Sequence, residues 1–308
     1  MILSPKIAVL VPCYNEALTI EKVVKDFQQH IPEAKIFVYD NNSKDATVEI
    51  ATKAGAIVGN EKKQGKANVV FRMFREIDAD LYIMIDGDDT YPVECIREMV
   101  DQFIENNSDM LVGDRLSNKS YKKENKRAFH NFGNNLVRNL INIFFGSELK
   151  DILSGYRIFS RKFVKNYASS IKGFELETDL SIYALHYGLA IEEYSINYRD
   201  RPEGSVSKLN TFTDGFKVIK LFFNLVRLYK PLLFFGMVSI VLFILGILFM
   251  IIPIREYFEY QYVYRVPTLI FSIMLIIISI LSLATGLILD NISIIDKKNF
   301  KVRYNNTN

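Results

Sequence analysis

The sequence predicts an α/β protein: a mostly parallel sheet flanked by helices, then an interfacial amphipathic helix and two transmembrane helices. Three observations support this fold class. Short apolar strand patterns alternate with helical patterns over residues 1–210, an amphipathic stretch occupies residues 211–230, and two uncharged apolar runs follow. Strands that alternate with helices indicate a parallel sheet covered on both faces.

The alternation begins near the N-terminus. The segment KIAVLVP at residues 6–12 is short, continuous and apolar, which predicts a buried strand, and helical spacing of apolar residues follows over residues 17–30. Ligands of such sheets bind at the carboxyl ends of the strands. Further strands are predicted at 35–40, 81–86, 110–113 and 190–198, and further helices at 45–54, 93–106, 125–145 and 177–187.

Two runs without a charged residue, 231–254 and 266–289, predict membrane spans. Each exceeds the roughly 20 residues that a helix needs to cross a bilayer. Buried core helices are the alternative, but such helices rarely stay apolar on every face over this length. Lys and Arg flank the outer ends of both runs, and the loop 255–265 carries only two arginines. Because positive residues favour the cytosolic side, we expect residues 1–210 and the tail 290–308 in the cytosol.

Composition excludes several classes of protein. The 308 residues carry a formal net charge of +3, which is too balanced for a protein that coats nucleic acid. The two cysteines, Cys13 and Cys95, lie far apart and predict neither a disulfide framework nor a structural zinc site. Residues 1–11 lack the pattern of a cleaved secretory signal.

The acidic turn Asp86-Gly87-Asp88-Asp89 follows a predicted strand. Carboxylates in one turn repel each other unless a cation lies among them, and Mg²⁺ and Mn²⁺ prefer oxygen ligands. The turn therefore predicts a divalent metal site, whose ion would neutralise a diphosphate as it leaves. A solvated turn that caps the helix beginning near Pro92 is the alternative.

Other polar residues lie at the same predicted edge of the sheet. Pro12, Tyr14 and Glu16 could frame a base and ribose, and Asp40 could accept a hydrogen bond from a base. Helix capping is the alternative for such a turn. Lys66 follows Gly65 and could meet phosphates or simply lie on the surface. No GxxxxGK[ST] motif occurs, which disfavours a P-loop ATPase.

Seven segments occur in an order that is typical of one family: VPCYNEALTI, VYDNNSKDAT, QGKANVV, MIDGDDTYP, VGDR, DILSGYRIFSR and RPEGSVSKL. They resemble the family-two inverting glycosyltransferases with the GT-A fold, and more closely the polyprenyl-phosphate branch typified by dolichol-phosphate mannose synthase. The resemblance spans nearly the whole chain. It implies that Pro12, Tyr14, Glu16, Asp40, Lys66 and Asp86 bind the nucleotide sugar, and that Asp86 and Asp88 bind Mg²⁺ or Mn²⁺.

The resemblance also implies an acceptor-phosphate site and a set of catalytic residues. Paired guanidinium groups suit a phosphate because their hydrogen bonds are bidentate and charge-assisted. Arg138 lies near Arg127 in the sequence and is an alternative to it. The implied acceptor residues are Arg115, Arg127, Arg201, Ser207 and Lys208, and the implied catalytic residues are Asp88, Asp151 and Arg201.

Asp151 matches a carboxylate that the family places near the reacting centre. A general base is not required, because a lipid monophosphate with a second pKa of roughly 6 is already mostly anionic. Asp151 could instead orient a sugar hydroxyl or a neighbouring arginine. Three residues depart from the family pattern: Asn41 replaces a second Asp, Ala67 a Gly, and Thr90 a Gln directed at the metal in some relatives.

The predicted reaction is inverting transfer of one hexose from UDP or GDP to undecaprenyl or dolichyl phosphate at a membrane. A catalytically silent membrane subunit and a processive polysaccharide synthase are alternatives. The synthases use a QxxRW motif, and this chain contains no tryptophan. A soluble transferase would leave the two spans unexplained. Gly236, Gly246 and Gly286 offer points of close helix packing, through which homo-oligomers could form.

Overall fold

The computed structural model describes residues 5–118, 138–168, 176–199, 223–224 and 226–307. These residues fall into two compact units. The first comprises Met1–Gly215 with Lys301–Asn308, and the second comprises Phe216–Phe300. Of the amphipathic helix predicted over 211–230, the described residues 223–224 and 226–229 are helical, and residues 211–222 and 225 lie outside the described residues.

The first unit is built on a seven-stranded sheet in the order β3-β2-β1-β4-β6-β5-β7. β1 pairs in parallel with β2 and β4, β2 with β3, and β5 with β7, whereas β6 runs antiparallel between β4 and β5. The carboxyl ends of β1, β2, β4 and β5 therefore share one edge, where β6 begins. The strands are β1 (Ile7–Cys13), β2 (Lys35–Asp40), β3 (Ile57–Asn60), β4 (Leu81–Met84), β5 (Met110–Asp114), β6 (Arg157–Ser160) and β7 (Ile191–Ser195).

Amphipathic helices cover this sheet. The apolar face of α1, with Ile20, Val23, Val24 and Phe27, is buried as its spacing predicts. Each such side chain contributes about 1.5–3 kcal/mol when fully buried. The helices of this unit are α1 (Ile20–His30), α2 (Thr47–Lys53), α3 (Lys66–Glu76), α4 (Ile96–Glu105), α5 (Arg161–Asn166) and α6 (Leu176–Tyr187), with a further helical stretch at 138–145.

The structure confirms the mostly parallel α/β sheet and adds elements that the sequence analysis did not predict. These are β3, α3, β6 and α5. β6 has only four residues and a pattern interrupted by charge, RIFS, so its apolar content alone does not mark a strand. Residues 125–137 of the helix predicted at 125–145 lie outside the described residues.

The second unit contains two long helices, α7 (Pro231–Tyr260) and most of α8 (Val266–Asn306). Both are long and apolar enough to cross a membrane, and both extend beyond the predicted runs. Only 17% and 11% of their most apolar stretches are buried, unlike the core helices of a soluble protein. The hydroxyl oxygens of Ser239 and Ser279 lie 3.1 Å apart, within hydrogen-bond distance. A Cβ added at Gly246 would lie 2.8 Å from Ile276, so the helices pack closely there.

Candidate active site

Asp40 ends β2 with its carboxylate buried. Its Oδ2 atom accepts a hydrogen bond from the backbone N–H of Ser43 at 3.0 Å. Its Oδ1 atom is buried and has no hydrogen-bond partner among the described residues. A buried acceptor without a partner costs about 1–3 kcal/mol. An N–H donor from a ligand would satisfy this oxygen, which fits the predicted contact with a nucleotide base.

The turn after β1 lies beside Asp40 and carries Tyr14 and Glu16. Its backbone is fixed to the loop after β2: Asn15 N–H donates to the hydroxyl of Ser43 at 2.8 Å, and Glu16 N–H donates to that of Thr47 at 2.9 Å. Pro12, Tyr14 and Glu16 are all half-buried. The structure therefore brings these predicted nucleotide-binding residues to the same edge as Asp40.

Asn41 explains one departure from the family pattern. Its side-chain amide donates to the carbonyls of Glu61 and Lys63, both at 2.8 Å, and its Oδ1 atom accepts from Gly65 N–H at 2.7 Å. An aspartate could not donate the first two bonds. Gly65 has a φ of 124°, which only glycine adopts readily, and Lys66 begins α3 directly after it. Asn41 thus holds the loop that positions Lys66.

Lys66 and Asp86 form an ion pair at the carboxyl end of β4, and Glu177 of α6 completes it. The Lys66 ammonium contacts Asp86 Oδ1 and lies 2.5 Å from Glu177 Oε1. Burial alone would lower the pKa of Lys66, but the two carboxylates outweigh burial and raise it. Lys66 is therefore a fixed cation beside the predicted metal ligand. Glu177 was not among the predicted site residues, because the first turn of α6 carries two carboxylates, Glu177 and Asp179, and the sequence does not indicate which of them meets Lys66.

Asp88 and Asp89 differ in environment although they are neighbours. Asp88 is 4% exposed, and its Oδ1 atom accepts from the hydroxyl and N–H of Thr90, at 2.7 and 3.3 Å. Thr90, which stands where some relatives have Gln, thus orients Asp88. Asp89 instead pairs with Lys22 of α1 at 2.6 Å. Asp88 is the better placed of the two to meet a ligand with Asp86.

The acidic turn suits an ion that is shared with a substrate. Within the part of the chain that the structure describes, no three His, Cys, Asp or Glu side chains form a group that could enclose a metal. Asp86 and Asp88 supply hard oxygen ligands from a single turn. Mg²⁺ is usually bound by one or two carboxylates together with substrate phosphates. The residues therefore fit a divalent ion that is completed by a diphosphate.

Arg115 and Asp151 form a buried bidentate pair beyond the end of β5. Arg115 Nε lies 2.7 Å from Asp151 Oδ2 and Nη2 lies 2.9 Å from Oδ1, and Arg115 N–H also donates to Oδ2 at 3.1 Å. Burial would raise the pKa of Asp151, but the Arg115 guanidinium lowers it. Asp151 is thus held as an anion, which favours orientation of an arginine over proton abstraction.

One loop, residues 151–155, connects this pair to the acidic turn. A Cβ added at Gly155 would lie 2.6 Å from Asp86 Oδ2, so the Gly155 backbone contacts the carboxylate directly. Gly155 N–H donates to the hydroxyl of Tyr91 at 2.9 Å, and Arg115 Nη1 donates to the same hydroxyl at 3.4 Å. Tyr91 was not among the predicted site residues. The acidic turn and the arginine pair therefore belong to one network.

The buried side chain of Arg157 holds the loop 151–155 in place through hydrogen bonds. It is fully buried and donates to the carbonyls of Ile152 at 2.6 Å and Ser154 at 2.8 Å. It also donates to the hydroxyl of Ser181 at 3.0 Å. Burial lowers the pKa of Arg157 to about 10. Arg157 lies within the segment DILSGYRIFSR, and no role was predicted for it.

Four predicted acceptor residues, Arg127, Arg201, Ser207 and Lys208, lie outside the described residues. Their roles stay predictions. The other predicted site residues form two groups in the described part of the chain. One group contains the predicted nucleotide and metal residues, and the other contains Arg115 and Asp151. Both groups adjoin the loop 151–155.

The chain matches the description "Glycosyl transferase family 2" over residues 8–168. It belongs to this family. The protein is therefore a glycosyltransferase, and the fold predicted from the seven segments is confirmed. The matched region contains the acidic turn, the Arg115–Asp151 pair and β6.

The chain is similar to several named proteins over most of its length. The glycosyltransferase AglJ of Haloferax volcanii is 30% identical over 76% of this chain and 76% of its own length. A dolichyl-phosphate hexose transferase of the same organism is 28% identical over 68% of this chain and 89% of its own length. Glucosyl-3-phosphoglycerate synthase from Mycobacterium tuberculosis, solved with Mn²⁺, UDP and phosphoglyceric acid, shares the fold with a TM-score of 0.56 at 19% identity, over 73% of this chain and 78% of that one.

Proposed function

We propose that this glycosyltransferase moves a single sugar from a UDP or GDP sugar to the phosphate of a polyprenyl phosphate, with inversion and with a divalent metal ion. One observation carries the proposal: Gly155 contacts Asp86 on one side and, through the Tyr91 hydroxyl, connects to Arg115 on the other. A carboxylate site for a metal diphosphate and a guanidinium site for a second phosphate therefore adjoin each other.

The residues of the chain have distinct roles in this proposal. Asp40 accepts a hydrogen bond from the base, and the turn with Tyr14 and Glu16 frames the base and ribose. Asp86 and Asp88 hold the metal ion, which when bound neutralises the charge of the leaving diphosphate. Lys66 adds a fixed positive charge beside Asp86. Asp151 keeps Arg115 oriented, and catalysis comes from positioning and charge neutralisation.

No side chain has to remove a proton from the acceptor in this mechanism. The phosphate of a lipid monophosphate is mostly ionised at neutral pH. Asp151, whose pKa the Arg115 guanidinium lowers, stays ionised and paired throughout. The nucleophile approaches opposite the leaving diphosphate, so the adjoining sites must hold the two reactants in line.

The membrane assignment is part of the proposal. We assign residues 1–210 to a cytosolic catalytic domain, 231–254 and 266–289 to the spans, 255–265 to an extracytosolic loop, and both termini to the cytosol. The support is the two long apolar helices, the excess of Lys and Arg at their outer ends, and the similarity to a relative named dolichyl-phosphate hexose transferase. Such anchoring suits an acceptor whose phosphate lies at the membrane surface.

The test uses the full chain purified in detergent. It is given Mn²⁺ or Mg²⁺, polyprenyl phosphate and a panel of radiolabelled UDP and GDP sugars. We expect one donor to yield a chloroform-soluble product that carries a single sugar, and we expect EDTA to abolish it. Absence of product with every donor would favour the silent-subunit alternative, and a product with many sugars would favour a processive synthase.

A further inference from the structure

The ammonium of Lys66 lies at the carboxylate of Asp86, which is a predicted ligand of the metal ion. It contacts Asp86 Oδ1. The other oxygen, Oδ2, lies against Gly155, where an added Cβ would be 2.6 Å from it. A metal ion at Oδ1 would therefore meet a second cation at the same atom. The two cations repel each other, and the repulsion is strong because the Lys66 side chain is only 16% exposed.

Lys66 has a second carboxylate partner that does not belong to the acidic turn. An ammonium carries three hydrogen-bond donors, and two of those of Lys66 have acceptors among the described residues. These acceptors are Asp86 Oδ1 and Glu177 Oε1, the latter at 2.5 Å. The Glu177 side chain is buried on α6, 111 residues from Lys66 in the chain. Lys66 can therefore leave Asp86 and still keep a carboxylate partner.

A second lysine beside the acidic turn differs from Lys66 in its exposure. Lys22 pairs with Asp89 at 2.6 Å, and its side chain is 50% exposed, against 16% for Lys66. Water and salt screen an exposed charge, whereas a covered charge is screened much less. Lys66 therefore has the larger effect on a cation that binds at Asp86.

We propose that Lys66 competes with the divalent ion for Asp86, so that the ion binds tightly only together with the donor diphosphate. The inference rests on the proposed function, in which Asp86 is a ligand of the ion. A diphosphate offers the Lys66 ammonium new acceptor oxygens and offers the ion negative charge. With the donor bound, the ammonium turns from Asp86 to the diphosphate and keeps its bond to Glu177. Lys66 thus couples metal binding to donor binding.

Binding of Mn²⁺ is measured first, by electron paramagnetic resonance of the free ion, on the full chain in detergent. The ion is titrated alone and with saturating UDP or GDP, with correction for the ion that free nucleotide binds. We expect one of the two nucleotides to lower the Kd for Mn²⁺ on the order of tenfold to a hundredfold. A Kd that neither nucleotide changes would overturn the coupling.

The variant Lys66→Gln separates competition from a role in donor binding alone. It removes the competing cation, so we expect the Kd for Mn²⁺ alone to fall on the order of tenfold. The effect of the nucleotide on this Kd should shrink by at least the same factor. Lys22→Gln is the matched control, because it removes an exposed lysine that pairs with a carboxylate of the same turn, and it should change the Kd less than about twofold. An unchanged Kd for Mn²⁺ alone in Lys66→Gln would overturn the competition, even where nucleotide binding weakens.

The double variant Lys66→Gln with Glu177→Gln keeps the test decisive where Lys66→Gln alone does not fold. It removes one positive and one negative charge, so the net charge is unchanged and Glu177 is not left as a buried, unpaired carboxylate. We expect it also to bind Mn²⁺ alone more tightly than the unaltered chain, because Asp86 no longer has a competing cation. A Kd equal to that of the unaltered chain would attribute the effect of Lys66→Gln to net charge and overturn the competition.

Transfer assays separate failure of this inference from failure of the proposed function. Metal-dependent sugar transfer, together with an unchanged Kd for Mn²⁺ alone in Lys66→Gln, would overturn the competition and leave the function standing. The expected change in Mn²⁺ binding, without transfer from any donor, would overturn the function and leave the competition standing. A failure to bind Mn²⁺ with either nucleotide would overturn the inference together with the metal dependence of the proposed function.

Discussion

The two halves of the candidate active site are held in place by different means. The acidic half, Asp40, Asp86 and Asp88, lies directly after parallel strands, and near neighbours fix two of its members: Ser43 holds Asp40, and Thr90 holds Asp88. The basic half, centred on Arg115, depends on a distant contact, its pair with Asp151, 36 residues away in the chain. Local sequence therefore shapes the acidic half, whereas tertiary structure assembles the basic half.

The largest effect should come from Asp88 in the acidic half. We expect Asp88→Asn to lower kcat on the order of a thousandfold, because it removes a charge that we have proposed as a ligand of the metal ion. Asparagine has nearly the same shape as aspartate, and the hydrogen bonds of Asp88 are made to its near neighbour Thr90, so we expect the variant to fold. Binding of Mn²⁺ in the presence of the nucleoside diphosphate, followed by electron paramagnetic resonance, should weaken in parallel. Asp89→Asn, which alters only the pair with Lys22, is the control, and an equal loss in both variants would contradict the assignment.

Gly155 tests whether the two halves are coupled. A Cβ there would lie 2.6 Å from Asp86 Oδ2, so Gly155→Ala must displace the carboxylate or the loop. A misplacement of about 1 Å can cost on the order of a hundredfold in rate, and we expect kcat to fall by about that factor. The measurement is steady-state kinetics for both substrates. Gly236→Ala, at a helical glycine whose added Cβ meets nothing within 4 Å, should change nothing. Full activity of Gly155→Ala would mean that the halves act independently.

Glu177 tests a long-range contact beside the acidic half, its ion pair with Lys66. Glu177→Gln removes one of the two carboxylates that hold Lys66, and we expect kcat to fall about tenfold with the acceptor KM unchanged. Glu177→Asp, which keeps the charge, should recover part of this loss. The surface variant Glu49→Gln is the matched control. A rise confined to the acceptor KM would place Glu177 with the basic half instead.

The pair in the basic half also predicts how stability depends on pH. The folded-state pKa of Asp151 lies below its ordinary value, because the effect of the Arg115 guanidinium outweighs that of burial. Its contribution to stability is therefore fully present above the unfolded pKa, about 3.9, and is lost as pH falls through the folded value. The effect is confined to acid and is the smallest of the four.

The measurement is the Tm of the full chain in detergent between pH 7 and pH 3. The Tm should fall toward acid, and part of that fall should be missing in Asp151→Asn, which cannot titrate. Parallel curves for the two proteins would show that the pair does not stabilise the fold through its charge.

The sequence predicted the features that depend on local contacts and missed those that depend on long-range contacts. The strand at residues 35–40 was predicted with its observed bounds, because its own short apolar run marks it as a strand. The edge that gathers Asp40, Asp86 and Asp88 followed from the parallel sheet. β6 was missed, since a four-residue antiparallel strand is defined by its partners β4 and β5 rather than by its own pattern. Glu177 was missed for the same reason: its contact with Lys66 joins residues far apart in the chain.

The resemblance to the family's motifs identified site residues that the apolar periodicity of the sequence could not identify. Arg115 and Asp151 were both named from the family pattern, and a neighbouring arginine was one of two expected partners of Asp151. Which arginine it would be was not predicted, because a motif gives residue types and not contacts. The alternative prediction for the acidic turn was a solvated turn. Asp88 is instead buried and accepts a hydrogen bond from Thr90.

The position of β6 has a consequence for how the chain folds. β4 and β5 do not pair with each other, and each needs β6 to complete its hydrogen bonds in the sheet. Until residues 157–160 have left the ribosome, β4 and β5 each present an open edge that can pair with another chain. Pairing between strands so distant in sequence also slows folding. A nascent chain that stops before residue 157 would therefore be prone to aggregate through these open edges.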